Sequence, residues 1–173
     1  MDIENHLLTN SKFLKSPNFS ERKDSIDLII IHCISLPEGS YANNNVADFF
    51  LNKLNFNEHV SFESLRNIKV SAHLYIDRSG EVIQFVPFDK CAWHAGKSEF
   101  MGKKNCNDFS IGIELEGTVN QEYEDIQYRK LKKIVHLLIK QYEIKHVVGH
   151  KDVAPNRKLD PGTKFDWGKI LSS

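Results

Sequence analysis

Asp27-Leu28-Ile29-Ile30-Ile31-His32-Cys33-Ile34 is an apolar run with almost no polar interruption. A strand with one wet face alternates apolar and polar residues. A continuous isoleucine-rich run instead predicts a strand covered on both faces, in the middle of a sheet. Leu36-Pro37-Glu38-Gly39-Ser40 breaks the run. His32 therefore stands where a central strand runs out, a favoured position for functional side chains in open sheets with helices.

Outward from this strand, the pattern mixes both periods. Phe109 to Leu115 predicts a second strand and Lys145 to Gly149 a last one. Ser71 to Asp77 and Glu81 to Val86, joined by Arg78-Ser79-Gly80, read as a hairpin. The clearest helix is Glu124 to Tyr142, where Tyr128, Leu131, Ile134, Val135, Leu138 and Tyr142 form one apolar stripe. Acidic residues in its first turn suit the helix dipole. A shorter helix is expected from about Asn45 to Leu54, with Val46, Phe49, Phe50 and Leu54 on one side. Residues 55–69 read as loop-rich, with Phe56, Phe62 and Leu65 turned inward. Residues 87–109 form a long connection carrying Trp93-His94-Ala95-Gly96, and loops of that length inside a compact domain are usually functional. Residues 1–25 read as an irregular polar arm. The expectation is an α/β fold: a single domain over 1–173, with a central mixed β-sheet flanked by helices.

The 173 residues suffice to bury roughly 70% of the unfolded surface around one core. With 23 basic and 23 acidic residues the formal charge is zero, and nothing in the composition suggests the basic face expected of a nucleic-acid binder. Leu28 to Ile31 is the longest clean aliphatic block, far short of the ~20 residues of a membrane span. The first residues, Met1-Asp2-Ile3-Glu4-Asn5-His6, lack a basic segment followed by an apolar one, so a cytoplasmic location is expected. Cys33, Cys91 and Cys106 form no Cys-x-x-Cys pair and read as reduced thiols.

The chemistry gathers at strand ends. His32 and His150 each end a predicted strand, and Asp160 follows ten residues after His150. Two histidines and a carboxylate are a ligand set for an open zinc site, with the fourth position left for water. Ten extended residues would span roughly 33 Å, so the 150–160 segment must double back. Pro155, Pro161 and Gly162 supply the turn chemistry for it. His146 shares a strand face with His150 but lies about 13 Å away, too far to share an ion. No His-Glu-x-x-His helix exists. The chain has eight histidines, and satisfied structural histidines fit this spacing as well as ligands do. Lys158, two residues before Asp160, would face the same side of an extended segment and could stabilise an oxyanion. In Ile111-Gly112-Ile113-Glu114-Leu115-Glu116, the isoleucines and Leu115 share one face, and Gly112, Glu114 and Glu116 the other. A carboxylate in so apolar a strand is costly unless it is exposed, paired or functional. Periodicity alone does not choose between Glu114 and Glu116 as a base.

Six blocks in order carry a resemblance: Ile31 to Pro37, Val70 to His73, Gln84 to Lys90, Ala92 to Gly96, Cys106 to Gly117, and Gly149 to Gly162. The match runs from about His32 to Trp167 and rests on these blocks. On them the chain resembles the amidase-2 superfamily, which includes the peptidoglycan recognition proteins. Within it, the chain is most similar to the cytoplasmic 1,6-anhydro-N-acetylmuramyl-L-alanine amidases. The resemblance implies one zinc ion held by His32, His150 and Asp160, with Glu114 as catalytic base and Lys158 as transition-state stabiliser. It implies a groove for sugar and peptide lined by Trp93, His94 and Ala95, and makes His73 a packing residue rather than a ligand. The implied partner is an anhydromuropeptide, and a monomer is expected. Two positions depart from the family pattern. Asn105 stands where a basic residue precedes Cys-Asn-Asp-Phe-Ser, and Lys69 stands for an arginine before Val-Ser-Ala-His. Neither side chain reproduces a bidentate arginine fork, so both bear on recognition of peptide carboxylates. Residues 1–25 and 40–69 carry no such match. Two other readings fit the class: an amidase acting on intact murein, as in phage lysins, and a peptidoglycan receptor without catalysis.

Overall fold

A computed structural model of the chain describes residues 1–171; the last two residues of the expected domain, Ser172 and Ser173, lie outside the described residues. The chain begins with a hairpin of β1 (Ile3–Glu4) and β2 (Leu7–Leu8), followed by β3 (Lys12–Phe13) and β4 (Phe19–Glu21). The central strand β5 (Leu28–Ile34) leads to α1 (Asn45–Phe50) and a short 3-10 turn over Val60–Leu65. β6 (Leu74–Ile76) and β7 (Val82–Gln84) form the expected hairpin, shorter at both ends than the sequence predicts. β8 (Lys90–Ala92), β9 (Glu99–Phe100) and β10 (Lys103–Lys104) break up the long connection. The remaining elements are β11 (Ser110–Glu116), α2 (Asp125–Gln141), β12 (His146–Gly149), α3 (His150–Val153) and α4 (Gly168–Leu171).

Six strands form the main sheet in the order β12-β5-β11-β6-β7-β3. β12, β5, β11 and β6 run parallel, and β7 is antiparallel to β6, so the sheet is mixed as expected. β5 has a strand on each side and Leu28 to His32 are all buried, which is why its sequence shows no alternation. Its side chains still divide by parity. Ile29 and Ile31 pack with Ile111, Ile113 and Leu115 under the apolar stripe of α2. Leu28 and Ile30 point the other way, against Ala95, Cys106, Phe109 and Val153. A further cluster around Phe50, Phe62 and Phe85 includes Tyr75, which pairs with Glu114, and supports α1 on the face of the sheet that carries His32.

The start of α2 is tied to the sheet by one side chain. Gln127 Oε1 accepts from the Glu124 N–H at 3.0 Å, while its Nε2 donates to the carbonyls of Ile76 and Glu116 at 3.2 and 3.0 Å. This leaves the opposite face of β5 and β11 free to carry chemistry.

One expectation needs correction. Residues 1–25 are not irregular: β3 extends the main sheet beside β7, and β4 pairs with β8. These strands have only two or three residues, too few for a period of two to register in the sequence.

Candidate active site

The parallel pairing of β5 and β11 sets Glu114 directly opposite His32. Because both strands are in register, the face that carries His32 also carries Ser110, Gly112 and Glu114. His150 enters from the neighbouring strand. It is the first residue of α3, immediately after β12, whose Gly149 pairs with Ile31. The 150–160 segment doubles back as its length requires: the Lys151 N–H donates to the Asp160 carbonyl at 3.0 Å. Gly162 then takes a positive φ of 92°, and a Cβ there would lie 2.1 Å from the Val119 carbonyl oxygen. Only glycine fits that turn.

These constraints bring three ligand-type atoms together. His32 Nδ1 lies 2.9 Å from His150 Nδ1, and each lies 3.1 Å from Asp160 Oδ2. His150 Nε2 is 3.1 Å from the Ala95 carbonyl, which can only accept, so Nε2 carries the proton and Nδ1 of the neutral ring is a lone pair. Three acceptor-type atoms this close need a proton or a metal cation shared among them. The donor set suits zinc, which takes imidazole nitrogen and carboxylate oxygen in open three-ligand sites. Burial is the main influence holding His32 as a base down to about 4, with the neighbouring His150 adding to it against the pull of Asp160. The His32 ring is therefore neutral at pH 7, the form a metal requires.

Glu114 sits beside this cluster at 9% exposure. Its Oε2 is buried without a hydrogen-bond partner among the described residues. Burial raises its carboxyl well above the ordinary range, the Asp160 charge adds to this, and Lys158 opposes it. Glu116, which periodicity left as an equal candidate, is occupied: Oε1 accepts from the Ala42 N–H and Oε2 from the Arg78 N–H. Lys158 and Asp160 both line the cleft, while Leu159 between them is 70% exposed, the alternation expected of an extended segment.

The cleft encloses about 310 Å³. One wall is polar, with His32, His94, Glu114, His150, Lys158 and Asp160. The other is apolar, with Leu36, Phe49, Leu65, Ile68 and Trp93. Trp93 is braced by the N-terminal residues: its Nε1 donates to Ser20 Oγ at 3.4 Å, and its N–H to the Asn18 carbonyl at 3.3 Å. A groove with one apolar and one polar wall suits a ligand that has both a ring and an amide-bearing arm.

A family model described as N-acetylmuramoyl-L-alanine amidase matches residues 22–163, a span that holds every residue of this polar wall. The chain belongs to that family. The resemblance read from the six sequence blocks is thus borne out. The amidase is 44% identical to the 1,6-anhydro-N-acetylmuramyl-L-alanine amidase AmpD of Haemophilus influenzae, over 99% of this chain and 96% of the relative. The crystal structure of a selenomethionine derivative of AmpD matches with a TM-score of 0.96 at 41% identity, covering 98% of this chain and 97% of that one. The Escherichia coli amidase AmiD, solved in complex with anhydro-N-acetylmuramic acid-L-Ala-D-gamma-Glu-L-Lys, matches with a TM-score of 0.61 at 28% identity. That match covers 88% of this chain and 64% of AmiD.

Not every residue named from sequence lines the cleft of this amidase. Ala95 is fully buried, and its carbonyl holds His150 and accepts from Arg157 at 2.7 Å. Lys69 is exposed at a separate hollow behind Phe49 and Ile68. Asn105 is exposed at another hollow beside Lys104 and Arg157. His73 is fully buried: its Nδ1 accepts from the Gly112 N–H and its Nε2 donates to the Lys90 carbonyl, each at 3.0 Å. The sequence reading missed Leu36 and Ile68, and placed Phe49 and Leu65 only as core. Phe49, Leu65 and Ile68 come from the 40–69 region, which carries no family block, and the apolar stripe of α1 was the available signal. Leu36 lies inside the first block, at the break after β5. No described helix is long and apolar enough to cross a membrane.

Proposed function

We propose that this amidase is zinc-dependent and hydrolyses the amide between 1,6-anhydro-N-acetylmuramic acid and L-alanine in soluble muropeptides. A cytoplasmic role in peptidoglycan recycling is part of the same proposal. The observation that carries it is the buried Glu114, whose Oε2 has no hydrogen-bond partner among the described residues, beside the converging His32, His150 and Asp160. Such an arrangement is expensive for stability alone and useful for moving a proton. The names of the full-length relatives and the ligand of the AmiD complex support the choice of substrate.

His32, His150 and Asp160 would hold the zinc, which when bound supplies Lewis-acid activation of water and of the amide carbonyl. Glu114 takes a proton from the attacking water and delivers it to the departing alanine nitrogen. The carbon–oxygen bond forms, the carbon–nitrogen bond breaks, and the products are a muramic carboxylate and a peptide with a free amine. The Lys158 ammonium stabilises negative charge growing on the carbonyl oxygen. Trp93 and the apolar wall seat the sugar, which fixes the amide against the polar wall.

The test is a substrate comparison: soluble anhydromuramyl-tripeptide against intact sacculi, with products read by mass spectrometry. The proposal expects free stem peptide from the soluble substrate. Release from sacculi alone would assign the enzyme to intact murein. Binding of either without any release would make it a receptor.

A further inference from the structure

The zinc reading leaves one question open on the protein side, namely what keeps the His32 lone pair on Nδ1. A neutral imidazole carries its proton on either nitrogen, and the wrong choice would point an N–H at His150 and Asp160. His150 is held by the Ala95 carbonyl. Among the described residues no carbonyl meets the far nitrogen of His32; its Nε2 lies 2.9 Å from Nδ1 of another histidine, His94. Two imidazoles in contact do not by themselves decide which one donates.

The decision is made two residues further away. Ser110 is fully buried, and its hydroxyl donates to the Cys106 carbonyl at 2.5 Å. A hydroxyl has one proton, so towards His94 Nε2, 3.2 Å away, Ser110 Oγ can only accept. His94 Nε2 therefore carries the proton and His94 Nδ1 is the acceptor. His32 Nε2 must then donate, which leaves its Nδ1 as the lone pair aimed at His150 and Asp160. The direction of the whole chain is set by a backbone carbonyl that cannot donate.

One face of β11 builds this arrangement. Ser110, Gly112 and Glu114 alternate along it: Ser110 orients His94, Gly112 makes room for the ring, and Glu114 stands beside His32. A Cβ at position 112 would lie 2.4 Å from His94 Cγ, so the ring lies flat against bare backbone. The rings of His32 and His94 meet edge-on, with centroids 5.0 Å apart.

We infer that His94, oriented by Ser110 and the Cys106 carbonyl, is a positioning residue that fixes the His32 tautomer and so preforms the metal site. The inference rests on the zinc reading for its purpose, but the tautomer is a property of the zinc-free protein and is measured there. Nitrogen chemical shifts of the His32 ring in zinc-free protein at pH 7.5 are expected to show a protonated Nε2 and a bare Nδ1. A protonated Nδ1 would overturn the inference.

Zinc affinity, read by competition with a chromogenic chelator, is the second measurement. His94→Phe removes the acceptor and is expected to weaken zinc binding roughly ten- to a hundred-fold. His94→Asn, whose Oδ1 can replace Nδ1 as acceptor, is expected to recover most of that loss. Should His94→Phe not fold by circular dichroism, Ser110→Ala takes its place: His94 then samples both tautomers, and affinity falls in the same direction. Unchanged affinity in a folded His94→Phe or Ser110→Ala protein contradicts the inference. If the wild type shows the expected tautomer but binds no zinc, the positioning role stands and the zinc reading fails.

Discussion

Glu114 and His32 occupy the same register position on adjacent parallel strands, so one face of the sheet presents a carboxylate beside an imidazole. Neither residue depends on a loop for its placement. Sites built on paired strands hold their geometry better than sites on loops. His150 follows directly from the next strand, and only Asp160 and Lys158 come from a connecting segment.

Replacing Glu114 with Gln keeps its size and removes its basicity. Turnover of anhydromuramyl-peptide is expected to fall roughly 10²- to 10⁴-fold. Zinc content by elemental analysis should match wild type, since Glu114 is not among the three converging ligand atoms. Near-normal turnover would move the base elsewhere.

Asp160→Ala deletes one of the three proposed zinc ligands and leaves two imidazoles facing each other. Bound zinc is expected to drop from one equivalent to a small fraction after dialysis. Elemental analysis of the folded variant checks this; retention of a full equivalent would exclude the ligand set.

Gly112→Ala pushes a methyl into the His94 ring. Overpacking of this kind costs about 1–3 kcal/mol, read as a lower midpoint in urea unfolding. Because the ring that moves is the one touching His32, zinc affinity should fall along with stability. A neutral substitution on both readouts would mean that the ring shifts freely.

His73 makes stability depend on acid. Burial, with the nearby Arg22 charge adding to it, lowers this histidine to about 3 in the folded protein, against an ordinary value of 6.5. Between those limits the unfolded chain binds a proton that the folded chain does not, so stability falls as pH drops through that window and is unaffected above it. Urea unfolding of zinc-free protein at pH 7.5 and 5 should show the decline. His73→Gln should reduce its slope by up to one proton, and an unchanged slope would assign the proton to another group.

Much of this architecture was legible because its elements are long. β5 and β11 have seven residues each and α2 has seventeen, enough for a run, a period of two and a period of 3.6 to register. The short strands around Lys12, Phe19 and Lys90 were not, since two or three residues have no period. The metal-type cluster was half legible: strand ends placed His32 and His150, while Asp160 depended on a loop whose return no local rule dictates. Periodicity did not separate Glu114 from Glu116; the resemblance pointed to Glu114, and in three dimensions Glu114 lines the cleft while Glu116 is held by the backbone amides of Ala42 and Arg78. His94 was read only as a groove residue; the positioning role inferred for it was not legible, because it rests on a Ser110 hydroxyl 16 residues away whose proton is already given to the Cys106 carbonyl. Lys69 and Asn105, read as recognition positions, line separate hollows and not the cleft.

Under the proposed function, one zinc ion held by His32, His150 and Asp160 is required for cleavage of the muramyl–alanine amide. The most direct measurement strips the enzyme with a chelator, then adds zinc in sub-stoichiometric steps while hydrolysis of anhydromuramyl-tripeptide is followed. Activity should be lost on stripping and return linearly to a plateau at one equivalent of zinc. Full activity in metal-free enzyme, or none after zinc is restored to folded protein, would contradict the account.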